Sequence, residues 1–383
     1  MIPYGRQNIT QDDIDAVVAV LRSDFLTQGP AVQQFERTVA ERVGAARAVA
    51  VNSATSALHI ACAALGLGEG DRMWTTPNSF VASANCGLYV GAQLDFVDTD
   101  PAYHTMSPEA LATKLEQAAR TNTLPKVVVV VHMCGQPADM AAIAAACAPY
   151  GVRIIEDASH AIGAIDQGTA VGACVHSDIT VFSFHPVKIV TTGEGGMAVT
   201  QDHALADKME RLRSHGITRD PALMDEPAHG PWYYQQIELG WNYRMTDIQA
   251  ALGVSQMDRL DAFLDRRHAL AQRYDTLLPG LGIVPPAQRP GTRSSLHLYP
   301  IMVEAAQRKA VFEGLRGRGI GVQVHYIPIH IQPYYRRMGF EPGYCPVAEA
   351  SYARWISLPM YADLTDNQQD TVLEALRASI ADA

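Results

Sequence analysis

The stretch VFSFHPVKIVTTGEGG, residues 181–196, decides how the rest of the chain reads. ITVFSF (179–184) is an apolar, β-branched and aromatic run that predicts a buried strand, and a glycine-rich turn follows it. Lys188 falls in the short connection between the two. Apolar neighbours there would strip its ammonium of water, which lowers a lysine pKa and frees the amine to bond a carbonyl carbon. Gly193, Gly195 and Gly196 let the backbone turn tightly and approach a ligand. Alone the pattern is weak, because a lysine beside glycines is ordinarily a solvated residue next to a turn.

Working outward, short β-rich runs alternate with Ala-rich helical patterns from about residue 30 to 240. This predicts an α/β fold with a mostly parallel central sheet flanked by helices. AVAVN (48–52), Val127–His132 and VRIIED (152–157) read as further strands. Their apolar runs lack alternation, so both faces should be covered. TSALHIACAALGLG reads as a helix closed by Gly66 or Gly68, and an Ala-rich helix lies near 138–148. After Trp241 the texture changes. Thr246–Leu278 is one long helical pattern, stopped by Pro279 and Gly280. A Pro-rich connection (284–290), a strand SLHLYPIMV, a helix at 305–317, a strand VQVHYI and a closing helix near 366–378 follow. The expected division is a large domain over 1–245, then a linker helix and a smaller C-terminal α/β domain over 246–383. The N-terminal helix (11–22) belongs to the first and is expected to pack near the second.

Bulk properties narrow the function classes. With 48% hydrophobic and 18% charged residues among 383, the chain can bury a sizeable core. A net charge of -10, with no run of Lys or Arg, gives no footprint for nucleic acid. A phosphorylated ligand must then be held by a local site. No stretch reads as a signal peptide or a membrane span. The six cysteines are scattered without a CxxC pair, which argues against a zinc site and a disulfide framework and favours a reducing, cytoplasmic setting.

Asp157 ends the strand VRIIED, so its carboxylate should emerge at the carboxyl edge of the sheet, where α/β folds bind ligands. It and Lys188 would reach one ligand from neighbouring strands; the plainer alternative is a cap for ASHAIGA. NSATSALH (52–59) supplies a strand end, small residues and a helix start with free N–H groups, which suits a phosphate. Ser53, Thr55, Ser56 and Ser183 would add hydroxyls, although simple capping explains the first three as well. Phe80, in TTPNSFVASAN, would stack on a flat ring or else belong to the core.

Together these segments resemble the fold-type-I, pyridoxal-phosphate-dependent sugar-nucleotide aminotransferases nearly end to end. GEGG after the lysine, EDASHAIGA, NSATSALH, GWNYRMTDIQAALG (240–253) and RSHGITRD (213–220) fall in that family's order. The resemblance implies that Lys188 carries the cofactor and shuttles the proton, that Asp157 pairs with the pyridine nitrogen, and that His160 lies near the ring hydroxyl. It also implies that Ala54, Thr55 and Ser183 hold the phosphate and that Phe80 stacks on the ring. Asn242 would reach the phosphate from the other subunit of a homodimer with shared active sites. Two departures stand out: NSAT replaces the commoner Asn-Gly-Thr, and His160 replaces Gln.

HYIPIHIQPYYRRMGF (325–340), FHPVK and RSHGITRD most resemble the branch that aminates C4 of a UDP-linked 4-keto-6-deoxy sugar, with L-glutamate as donor, in pseudaminic acid synthesis. His185, His215, Tyr243, Arg244, His325, Tyr326, His330 and Tyr334 are then candidates for the sugar-nucleotide pocket; packing under a loop is the alternative for each. Other 4-keto sugars on UDP, GDP or dTDP remain open. A sugar dehydratase on this fold would replace the lysine by histidine, and a binding protein would have lost the Lys188, Asp157 and Ser183 set.

Overall fold

The structure is a computed structural model that describes residues 1–383. Seven strands form its central sheet: β1 (Arg47–Val51), β2 (Arg72–Thr75), β3 (Gln93–Phe96), β4 (Val127–Val131), β5 (Arg153–Asp157), β6 (Ile179–Ser183) and β7 (Gly196–Thr200). Their spatial order is β1-β7-β6-β5-β4-β2-β3. Neighbours from β3 to β6 are parallel, while β7 runs antiparallel to both β6 and β1.

The Val-rich β4 shows why the runs do not alternate. Val127 and Val129 pack into one apolar cluster with Leu58 and Ile60, whereas Val128 and Val130 pack into another with Leu111 and Ile143. Both faces are buried, and each valine contributes roughly 1.5–3 kcal/mol by leaving water. The strand registers then line up the carboxyl edge: Val131 lies opposite Asp157, Asp157 opposite Val181, and Ser183 opposite Gly196.

The C-terminal part is built on β8 (Tyr299–Met302) and β9 (Trp355–Leu358), an antiparallel pair. Its core joins Leu270, Tyr274, Ile301, Ile356 and Leu376. The predicted closing helix spans Asp366–Ala381.

Two expectations need correction. The long helical pattern from 246 divides into Asp247–Met257 and Leu260–Leu277. Arg259 at the break (φ -106, ψ 6) sends its guanidinium to the carboxylate of Asp13 and to Asn8, and no Gly or Pro marks the place. VQVHYI is not a strand; only Gln323 makes a bridge, to Ser357 in β9. The N-terminal helix, Gln11–Leu21, packs on Asp247–Met257, with Asp13 also accepting from Ser255 at 2.7 Å. No helix is long and apolar enough to cross a membrane.

Candidate active site

The carboxyl ends of β1, β4, β5 and β6, with the loop after β2, open on one cavity of about 1140 Å³. That volume is ample for a cofactor together with a substrate.

Lys188 projects into it from a tight turn after β6. The backbone N–H of Lys188 donates to His185 O at 2.9 Å, and Thr192 N donates to Phe184 O at 2.9 Å. Buried Ile189 and Val190 anchor the turn, and Lys188 Nζ has no hydrogen-bond partner in the chain. Desolvation lowers its pKa to about 8, against the opposing attraction of Asp157. At neutral pH about a tenth of such a lysine is free amine, against a few parts in ten thousand for an ordinary one.

Asp157 is 4% exposed and faces the same cavity. Its Oδ2 accepts from Ser83 Oγ at 2.6 Å and its Oδ1 from Ser159 N at 3.1 Å. Ser83 is itself bonded to Ser79 at 2.7 Å, so the carboxylate is oriented from behind by two serines. The Ser159 contact is the local cap that the sequence offered as the alternative; the cavity-facing position comes in addition to it.

Across the cavity stands the helix Ala54–Ala64. Ser53 Oγ is used as its N-cap, accepting from Ser56 N at 3.1 Å. The N–H groups of Ala54 and Thr55 donate to nothing in the chain and border the cavity, which leaves two donors and the helix dipole for an anion. The missing glycine of NSAT matters little here, because the close approach is made at Gly196. A Cβ there would stand 2.4 Å from Ala54 N and 2.4 Å from the Ser53 carbonyl carbon. Ser183 lines the same side, and Phe80 stands over the cavity with 58% of its surface exposed.

His160 also reaches the cavity, but both of its nitrogens are engaged. Nδ1 accepts from Cys134 N at 3.2 Å, and Nε2 lies 3.2 Å from the Tyr326 hydroxyl. The role carried over by resemblance, a contact with the ring hydroxyl, therefore finds no free nitrogen in this arrangement.

His185, His325 and Tyr326 line the cavity as expected. His330 does not: it is a buried imidazole held by Glu349 at 2.7 Å, because a histidine removed from water needs a partner. Tyr334 packs edge-on against Tyr335 at the surface, also away from the cavity. His215, Asn242, Tyr243 and Arg244 lie outside the cavity of their own chain. Asn242 is exposed and bridges to Ser214, Arg244 bridges to Val51, and Tyr243 stacks on Trp241 and meets His59 at 3.1 Å. Tyr4, Glu194, Gln249, Gln323 and Gln332 line the cavity without having been singled out. Assembly of distant segments brings in Tyr4, Gln249, Gln323 and Gln332, whereas Glu194 lies in the same 181–196 stretch as Lys188. Ser83, too, sits three residues beyond Phe80 in a segment already under suspicion.

What this cavity suits is a flat, phosphorylated aldehyde: an amine to bond it, a carboxylate to hold a ring nitrogen, and paired N–H groups for the phosphate. The class of protein so defined is the pyridoxal-phosphate-dependent aminotransferase.

Comparison with known proteins sharpens the class. The chain belongs to the DegT/DnrJ/EryC1/StrS aminotransferase family, whose pattern matches residues 7–377. It is 39% identical to the spore coat polysaccharide biosynthesis protein SpsC of Bacillus subtilis over 383 residues, covering 98% of this chain and 96% of that one. It is 37% identical to the UDP-4-amino-4,6-dideoxy-N-acetyl-beta-L-altrosamine transaminase of Campylobacter jejuni over 344 residues, covering 88% and 87%. The solved structure of Helicobacter pylori PseC, an aminotransferase of pseudaminic acid biosynthesis, superposes with a TM-score of 0.91 at 30% identity over the whole of both chains.

Proposed function

We propose that this enzyme moves an amino group from L-glutamate to C4 of a 4-keto-6-deoxy sugar nucleotide, UDP-2-acetamido-2,6-dideoxy-β-L-arabino-hex-4-ulose, in pseudaminic acid synthesis. The observation that carries the reading is the Lys188 amine, desolvated and without a partner, beside Asp157 over the carboxyl edge of the sheet. The names of the Campylobacter and Helicobacter relatives support the choice of sugar. The six unpaired cysteines suit a reducing, cytoplasmic setting.

Bound in this cavity, pyridoxal phosphate supplies an electron sink for the α-carbon of the amino donor. Lys188 would hold the cofactor through its amine and, once the amino donor has taken its place, would serve as the free base that moves the donor's α-proton. Its lowered pKa keeps it competent for that task, and confinement in one cavity makes the proton transfer effectively intramolecular. Asp157 would hold the proton on the ring nitrogen. Ala54 and Thr55 would bind the phosphate through their N–H groups, with Ser183 adding a hydroxyl, and Phe80 would cover the ring. The donor leaves as its 2-oxo acid, and in the second half-reaction nitrogen replaces the keto oxygen of the sugar.

Isotopically labelled glutamate, offered with a panel of UDP-, GDP- and dTDP-linked 4-keto sugars, tests the assignment. Label should enter the UDP-linked acetamido sugar at least about tenfold faster than the others. Preference for another nucleotide or sugar would move the enzyme to a different branch of the family.

One chain does not complete the site. Its cavity is lined by no arginine and by a single lysine, Lys188, which the cofactor occupies. A cofactor phosphate, the donor's carboxylates and a sugar diphosphate all require cations or strong donors. We assign these to a second subunit, with Asn242 and Arg244 reaching across a homodimer. Lys188→Ala and Asn242→Asp, each inactive alone, should then complement on subunit exchange. One site of each mixed dimer carries both lesions and the other carries none, so activity returns to about a quarter of wild type. Exchange confirmed by mass spectrometry without recovered activity would refute the shared site.

A further inference from the structure

The hydrogen bonds around His160 fix more than its position. A backbone N–H can only donate, so the Cys134 N–H at 3.2 Å makes His160 Nδ1 an acceptor without a proton. Cys134 takes a left-handed backbone (φ 60, ψ 4), which aims that N–H at the ring. Further fixing comes from Ser295 Oγ, which donates to His160 O at 2.7 Å, and from His297, whose ring lies 4.5 Å from that of His160. The neutral imidazole therefore carries its proton on Nε2. Burial, with Lys188 and His325 nearby, holds it well below the usual histidine range and so keeps it neutral.

The consequence falls on Tyr326. With Nε2–H as donor, the Tyr326 oxygen 3.2 Å away must accept, and its own O–H is left to donate elsewhere. No acceptor for it exists in the chain, and Tyr326 lines the cavity with Lys188 and Asp157. Phe80 stands 6.1 Å from its ring, and His325 lies edge-on to it at 4.9 Å. Besides His160, His325 and Lys188, the titratable groups facing it are Cys134, Tyr4 and Asp157; burial first, and then these three, push the phenol up and keep its proton in place.

We propose that Tyr326 is the hydroxyl donor this chain presents to the anionic ring oxygen of the bound cofactor, and that His160 is a positioning residue acting through it. The proposal rests on the cofactor occupying this cavity. A donor to a phenolate stabilises the form of the cofactor-lysine adduct whose nitrogen has lost its proton, and so lowers the pH at which the visible chromophore titrates.

The test is a spectrophotometric pH titration of the holoenzyme. Tyr326→Phe should raise the chromophore midpoint by about one pH unit, the loss of one hydrogen bond to a charged oxygen. Replacing Tyr326 by 3-fluorotyrosine, a more acidic phenol of nearly the same shape, should lower the midpoint, and this variant serves if the Phe variant fails to fold. His160→Ala should raise the midpoint, and Tyr326→Phe with His160→Ala should match Tyr326→Phe alone. A chromophore that ignores both changes at 326, or that shifts with His160→Ala in the Phe background, would overturn the proposal. Borohydride reduction separates this from the underlying reading: label on a lysine other than 188 refutes the cavity assignment, whereas label on Lys188 with an indifferent chromophore refutes the role of Tyr326 alone.

Discussion

Lys188→Ala is expected to reduce amino transfer by at least about ten-thousandfold and to leave no borohydride-stable adduct. On the proposed mechanism two functions are lost together, the covalent hold on the cofactor and the base that moves the proton, and positioned bases alone contribute roughly 10²–10⁴-fold. No other side chain in the cavity can substitute. The imidazoles of His160 and His325 are both held low by burial, which the variant keeps, and neither has the tether that a lysine supplies; His185 lies at the exposed rim. The protein should still fold, because Lys188 Nζ makes no hydrogen bond that folding depends on. Single-turnover transfer from labelled glutamate and mass spectrometry of the reduced protein measure both losses. A stable adduct on a different lysine would displace Lys188 from the mechanism.

Asp157→Asn should cost about a hundredfold or more in turnover while leaving the melting temperature within a few degrees. The two side chains are nearly isosteric: the amide oxygen can keep the bond from Ser159 N–H, and the amide NH2 then donates to Ser83 Oγ, whose hydroxyl can turn to accept. What disappears is the charge. A neutral amide cannot hold a proton on a pyridine nitrogen, and a charge-assisted hydrogen bond in a dry site is worth about 1.5–3 kcal/mol before the effect on the electron sink is counted. The chromophore of the holoenzyme should shift with it. Turnover near wild type in a folded Asn variant would reduce Asp157 to the local cap that its bond to Ser159 also describes.

The sequence was most legible where chemistry and burial coincide. VVVVV, RIIED and ITVFS announce strands because both faces are covered, and Asp157 and Ser183 stand at their ends for the same reason. The strands RMWT, QLDF and GMAVT passed unread. The first two are short and partly polar, and the last follows a glycine run that reads as a turn. The break at Arg259 was hidden because its cause, Asp13, is remote in sequence. The site divides the same way. Lys188, Asp157 and the 52–59 segment declare themselves through local pattern, whereas the orientation of His160 depends on Cys134 and Tyr326, which only the fold brings to it. His330 misled because a core histidine and a ligand-binding one look alike until Glu349 is seen beside it.

The desolvated amine of Lys188 also makes the cofactor a determinant of folding. In the unfolded chain that amine keeps its proton up to about 10.5; in the folded chain it gives it up at about 8. Between these values the unfolded state binds more protons, so the stability of the cofactor-free protein rises with pH across that window. Below about pH 8 the whole penalty is present, at most about 3 kcal/mol, and above about 10.5 it has vanished. On the proposed mechanism the cofactor aldehyde replaces the free ammonium by an imine nitrogen, so the penalty set by the ammonium's desolvation no longer applies. The cofactor-free protein is thus the less stable form at neutral pH, and the more open to proteolysis of the two.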